Sequence, residues 1–271
     1  MINNKNRLQW HKNSLIERSG YVLFYMNSLR DHLPIEDRQT LYMISKYFTD
    51  AVEFARTNIH AAKYFFEVGE HYQSEIPKDK ILLNKLIFNS YDRAKSYYYF
   101  KIKNYDKANE RINNTLEINK SLKEKFPILV FDSISHYQNL LKVLVFQNKK
   151  EEANTIIYEL VKFLLTGNTE LRTLENSFHV IGEDVFHDFK QFFLNEFIFN
   201  YMFLNSDFND ALNNLLTLYE NHKELFKNGP IFDFLEVYQS DTINENMLEF
   251  FKEKYDNYFS GIPLKILQEK L

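Results

Sequence analysis

A chain of 271 residues with 26 Phe and 18 Tyr but only 6 Gly and 5 Pro has ample apolar side chain for a core and few turn residues, which excludes wholesale disorder and argues against a sheet fold. Its 33 basic and 37 acidic residues give a formal charge of −4 and interleave without a run of one sign, so no nucleic-acid stripe or polybasic membrane patch stands out. The absence of Cys removes disulfides, thiolate nucleophiles and Cys-ligated zinc.

The first segment, MINNKNRLQWHKNS, lacks the apolar stretch of a signal peptide, and no uninterrupted run approaches the roughly 18 apolar residues of a membrane span. A soluble, cytoplasmic protein is the expectation, and the wealth of Asn, Lys, Ile, Phe and Tyr suggests a bacterial source. Helical periodicity predicts elements over about 7–32, 36–56, 58–74, 79–102, 105–124, 128–148, 150–166, 179–205, 208–227 and 244–258, with a short one near 263–270. Breaks fall at Pro34, Pro77, Pro127, Gly167, Gly229-Pro230 and Gly261-Ile262-Pro263. None is long enough for a flexible linker, so the expectation is one all-α domain over 1–271.

Along the fourth element Leu83, Ile87, Tyr91, Ala94, Tyr98 and Ile102 recur at steps of three and four and share one helix face. After a turn at Lys103-Asn104, Tyr105, Ala108, Ile112 and Thr115 do the same, which predicts an antiparallel hairpin with close approach at Ala108. Phe208, Ala211, Leu215 and Leu218 repeat these steps, and Ala153, Ile157 and Leu160 repeat their last three members.

In these residues the chain resembles tetratricopeptide repeats: NYDKA and DFNDA look like the second-helix signature of that family, and Phe65, Val68, Gly69 and Tyr72 in FFEVGEHY look like its first-helix pattern. The departures are a spacing of 45 and then 58 residues between the small alanines, against a family period of about 34, and Lys120 where a closing Pro is usual. The resemblance implies an α-solenoid of antiparallel helical hairpins in a right-handed superhelical array, with 1–56 as an N-terminal helical cap, 57–227 as the hairpins and 228–271 as C-terminal capping helices. Such hairpins cannot bury their own apolar faces, so they stack and leave a concave groove lined by the first helix of each pair.

By the same resemblance, the groove-facing residues are Arg93, Tyr97 and Lys101, then Gln138 and Lys142, then Glu196 and Asn200. Cations and amides there suit the backbone or terminal carboxylate of an extended peptide, and Tyr97 offers a flat apolar surface with a polar tip. The first functional reading is thus a non-enzymatic peptide- or protein-binding module, an adaptor or a peptide-sensing regulator that needs no cofactor. Some bacterial regulators join such arrays to a DNA-binding helix-turn-helix. Residues 1–75 show neither that motif nor basic enrichment, so no direct nucleic-acid contact is expected.

The second reading is a metal-dependent enzyme of the helical-bundle class. His179, Glu183 and His187 step by four along HVIGEDVFH, and Glu67 and His71 are likewise four apart. Three ligands on one straight helix spread over about 12 Å and cannot share one ion, so this reading requires the two groups to converge. There is no Gly-rich phosphate loop, G-x-S-x-G elbow or H-E-x-x-H motif. The third reading is a structural oligomer subunit using FFLNEFIFNYMF, apolar around nearly the whole helix, as its contact surface; a buried role for that segment, and for Trp10, is the simpler expectation.

Overall fold

A computed structural model describes residues 29–177, 230–240 and 243–254, with isolated positions at 213–223 and 267–268. Among the described residues the structure is all helical, with no strand. The chain groups into two compact units, Val22–Lys149 and a second made of Met1–Tyr21 with Lys150–Leu271.

The first unit holds α1 (Ile35–Ala55), α2 (Ile59–Ser74), α3 (Ile81–Lys101), α4 (Tyr105–Leu122) and α5 (Leu129–Phe146). Helix α1 starts behind Pro34, whose fixed φ and missing N–H suit a helix entrance, and carries Glu36 and Asp37 in its first turn, where the helix dipole favours anions. Its stripe Leu41, Ile44, Phe48, Ala51, Ala55 is buried at alternating steps of three and four. Asn58 caps α2 by accepting hydrogen bonds from the amides of His60 and Ala61, both at 3.1 Å.

Helix α1 packs on both α2 and α3, α3 packs on α4, and α4 packs on α5, while α2 meets α3 only lightly. FFEVGEHY therefore sits on a helix whose main partner precedes it in the chain. Within it, Gly69 lies under the buried Phe48 ring of α1, and a Cβ at that position would stand 2.4 Å from the ring. Phe48 also meets Phe66 and Tyr91, with ring centroids 6.2 and 5.3 Å away.

The predicted faces of α3 and α4 meet: Leu83, Ile87, Ala94, Ala108, Ile112 and Thr115 are all buried. Tyr91 and Tyr98 are half-buried, and Ile102 is exposed because it closes the helix. The turn after α3 is a Schellman motif. Lys103 takes φ 60°, its N–H donates to the Phe100 carbonyl at 3.0 Å, and the Asn104 N–H donates to the Tyr99 carbonyl at 2.9 Å. The end of α5 repeats it: Asn148 takes φ 59°, with its N–H to the Val145 carbonyl at 3.0 Å and the Lys149 N–H to the Leu144 carbonyl at 2.9 Å.

In the second unit, α6 (Lys150–Thr166) ends at Gly167, with φ 76°. The buried Glu159 carboxylate ties down the following loop by accepting from the Thr169 hydroxyl at 3.1 Å and the Glu170 amide at 2.6 Å. α7 (Pro230–Gln239) and α8 (Glu245–Lys254) touch only lightly. Helix α7 corrects the sequence reading, which took Gly229-Pro230 as a break and placed no helix there; Pro at the first helical position lacks only an N–H that would have no partner anyway. The element expected at 179–205, most of those expected at 7–32 and 208–227, Trp10 and FFLNEFIFNYMF lie outside the described residues. No described helix is long and apolar enough to cross a membrane.

Candidate functional site

Because α5 packs on α4 rather than on α3, the facing sides of α3 and α5 are left apart, and a cleft of about 350 Å³ opens between α1, α3 and α5. Helical spacing decides what lines it. Arg93, Ser96, Tyr97 and Phe100 come from one face of α3, Asn139, Lys142 and Val143 from one face of α5, and Val52 and Arg56 from the end of α1, with Ile112 of α4 as the floor. A second cavity of about 290 Å³ shares Val52 and Arg93 and continues along the α1–α3 seam past Ser45, Thr49 and Ser90.

Arg93 of the lining also belongs to a ring of polar bonds. The Arg93 guanidinium donates to Asp132 Oδ1 at 3.2 Å, Asn119 Nδ2 donates to Asp132 Oδ2 at 3.0 Å, and Asn89 Nδ2 donates to Asn119 Oδ1 at 2.6 Å. Asn89 and Arg93 are one turn apart on α3, so the chain of bonds leaves α3, crosses α4 and α5 and returns. His136 Nε2 lies 3.2 Å from the same Asp132 oxygen, and the other ring nitrogen has no hydrogen-bond partner among the described residues. Burial on its own would raise the Asp132 carboxyl, but the fields of His136 and Arg93 and the bonds from His136 and Asn119 outweigh it and hold the group well below the usual carboxylate range. Phe100, also of the lining, clusters with Tyr105 and Phe146, with centroids 5.3 to 5.8 Å apart.

The wall joins apolar and cationic residues. Arg56 stands 5.9 Å and Lys101 5.7 Å from the Tyr97 ring centroid, within the range of cation–π attraction. Arg56, Arg93 and Lys142 all line the cavity, whereas no carboxylate does among its described lining residues. A second polar cluster lies beside it. Lys95 Nζ sits 4.1 Å from the Phe66 centroid, near Tyr91 and Tyr98, and pairs with Glu70 at 3.0 Å. Glu70 also accepts from the Tyr91 hydroxyl at 2.9 Å, and burial, more than that bond, pushes the phenol up. Burial likewise raises the Asp92 carboxyl, against the pull of Arg111 donating to it at 2.8 Å.

Of the residues singled out from sequence, Arg93, Tyr97 and Lys142 come together in the cleft, and Lys101 lies one turn beyond, exposed beside Tyr97. Gln138 is half-buried on α5 and is not among the lining residues; Asn139, about 100° further round the helix, is. Glu196, Asn200, His179, Glu183 and His187 lie outside the described residues. Glu67 and His71 are exposed on α2 and pair along their own helix, with Lys63 at 3.7 Å and Glu75 at 3.5 Å. Among the described residues no three His, Asp or Glu side chains gather to hold a metal ion. Sequence reasoning missed the Asn89–Asn119–Asp132–His136 network. Its one signal was Asp132 and His136, four apart within LVFDSISHY. Comparison with protein-family models, curated proteins and solved structures finds no match for this chain.

Proposed function

We propose that the protein is a non-enzymatic binding module that captures an extended peptide or protein segment in the cleft between α1, α3 and α5, within a tetratricopeptide-like array of hairpins. The observation that carries this reading is the origin of the lining: alternate helices, α1, α3 and α5, supply the walls, as they do on the concave side of stacked hairpins. The repeated Schellman turn at Lys103 and Asn148 and the fully buried Ala108 and Ala153 support the same repeat. The two cavities sharing Val52 and Arg93 make an elongated site, which suits a chain segment better than a compact ligand.

The test is binding of the labelled full-length protein to an array of random-sequence peptides. Selection of a consistent sequence, lost in Tyr97→Ala with Lys142→Ala while helical circular dichroism is unchanged, is the expected result. Uniform background on the array, identical for wild type and double variant, overturns the reading.

A further inference from the structure

We infer that Asp132 is a positioning residue of the cleft, one that holds the Arg93 guanidinium in a single direction as a donor for a carbonyl group of the bound segment; this rests on the peptide-binding reading. Arg93 stands on α3 and Asp132 on α5, so their 3.2 Å bond ties together two helices that share little packing of their own. The two ends of that bond differ in freedom. Arg93 lines both cavities and its side chain is largely exposed, whereas Asp132 is buried. Each carboxylate oxygen is engaged: Oδ1 accepts from Arg93, while Oδ2 accepts from Asn119 at 3.0 Å and lies 3.2 Å from His136 Nε2. Asn119 is fixed in turn by Asn89, so the carboxylate cannot turn without breaking bonds to groups on α3, α4 and α5.

A long side chain that would otherwise sample many rotamers is thereby anchored at its tip before a ligand arrives, which lowers the entropic cost of binding. The donors of a guanidinium share one plane, so holding one of them directs the rest. A second anion there would stand beside the Asp132 carboxylate, and a neutral acceptor such as a backbone carbonyl is the better match.

The first test needs no ligand. In the full-length protein with isotope-labelled arginine, the Arg93 guanidinium, assigned by its loss in Arg93→Ala, is expected to show separate Nη resonances from slow rotation, and one averaged resonance in Asp132→Asn. Arg111, which donates to Asp92 at 2.8 Å, keeps its resonances in both proteins and reports that the fold survives. The second test is the random-sequence peptide array, read with wild type, Arg93→Ala, Asp132→Asn and the double variant. Selected peptides are expected to bind Arg93→Ala roughly fivefold more weakly and Asp132→Asn nearly as weakly, with Asp132→Asn adding nothing once Arg93 is gone. Arg93→Lys keeps the charge without the fork, leaves Asn119 and His136 with their acceptor, and loses as much as Arg93→Ala. An averaged Arg93 resonance in wild type, or an equal loss from Asp132→Asn with and without Arg93, overturns the inference. A blank array removes the peptide reading, while separate resonances that merge in Asp132→Asn still establish the positioning of Arg93.

Discussion

Phe48 of α1 lies close against the backbone of α2 at Gly69, so that any side chain at position 69 would begin 2.4 Å from the ring. The ring is buried and held on its other sides by Phe66 and Tyr91, so it has little room to retreat. Gly69→Ala gains about 1 kcal/mol of helix propensity but forces the Phe48 ring out of place, a cost of about 1–3 kcal/mol. The expected net is a destabilised α1–α2 pair, with Gly69→Val worse than Gly69→Ala, read from guanidinium unfolding of the full chain. A melting point raised by Gly69→Ala would contradict the packing.

Lys103 occupies the left-handed region at φ 60°, where a Cβ costs about 1 kcal/mol or more and glycine costs almost nothing. Lys103→Gly is expected to stabilise by about 0.5–1 kcal/mol, net of glycine's greater freedom in the unfolded chain, and Lys103→Val to destabilise. The same substitution at Asn148 gains less, because Asn already tolerates this conformation. Thermal unfolding of the three variants in parallel checks the order.

Arg93 and Asp132 share one ion pair but not one environment: the Arg93 side chain is 60% exposed and the Asp132 side chain 4%. Arg93→Ala removes a contact largely screened by water, at about 1 kcal/mol. Asp132→Ala strips the buried His136 ring and Asn119 of their acceptor, at about 2–4 kcal/mol. The pH dependence follows from the depressed carboxyl. Its contribution is fully present above the ordinary value of 3.8 and is lost as pH falls through the lower folded value. Acid titration of stability should therefore show a wild-type slope below about pH 4 that is shallower in Asp132→Asn; parallel slopes would count against it.

Lys95 is only 14% exposed and is held by three aromatic rings and Glu70. Removing the charge but not the length, in Lys95→Met, is expected to cost about 1 kcal/mol, since cation–π attraction and the ion pair outweigh the relief of desolvation. Lys95→Arg should be tolerated better than Lys95→Met. Urea unfolding monitored by tyrosine fluorescence distinguishes the two.

Helix positions from Ile35 to Thr166 were readable because apolar residues at steps of three and four carry them, and the α3–α4 hairpin was readable because both faces show the pattern with a polar turn between. The partner of α2 was not. Phe65, Val68, Gly69 and Tyr72 identify a helix face but carry no information on whether the neighbour precedes or follows in the chain. Helix α7 was hidden by Pro230, which stops a helix from within but starts one from its edge. Of the residues that the resemblance to tetratricopeptide repeats placed in a groove, Arg93, Tyr97 and Lys142 line the cleft and Gln138 does not, while its neighbour Asn139, about 100° further round the helix, does. The polar ring left only the Asp132–His136 spacing as a sign, since its bonded members are 13 to 39 residues apart and become partners only once three helices have packed.

Asn119 gives with one end of its amide and takes with the other, passing the bond from Asn89 on to Asp132. Aspartate there would set two carboxylates face to face, leucine would break the circuit twice, and glutamine is a methylene too long for the space. Position 119 thus tolerates a very small alphabet, while the solvent-facing rim at Lys101 and Asn139 can drift. Kinship with distant descendants of this chain is to be sought in that hidden amide sooner than in the residues that meet a ligand.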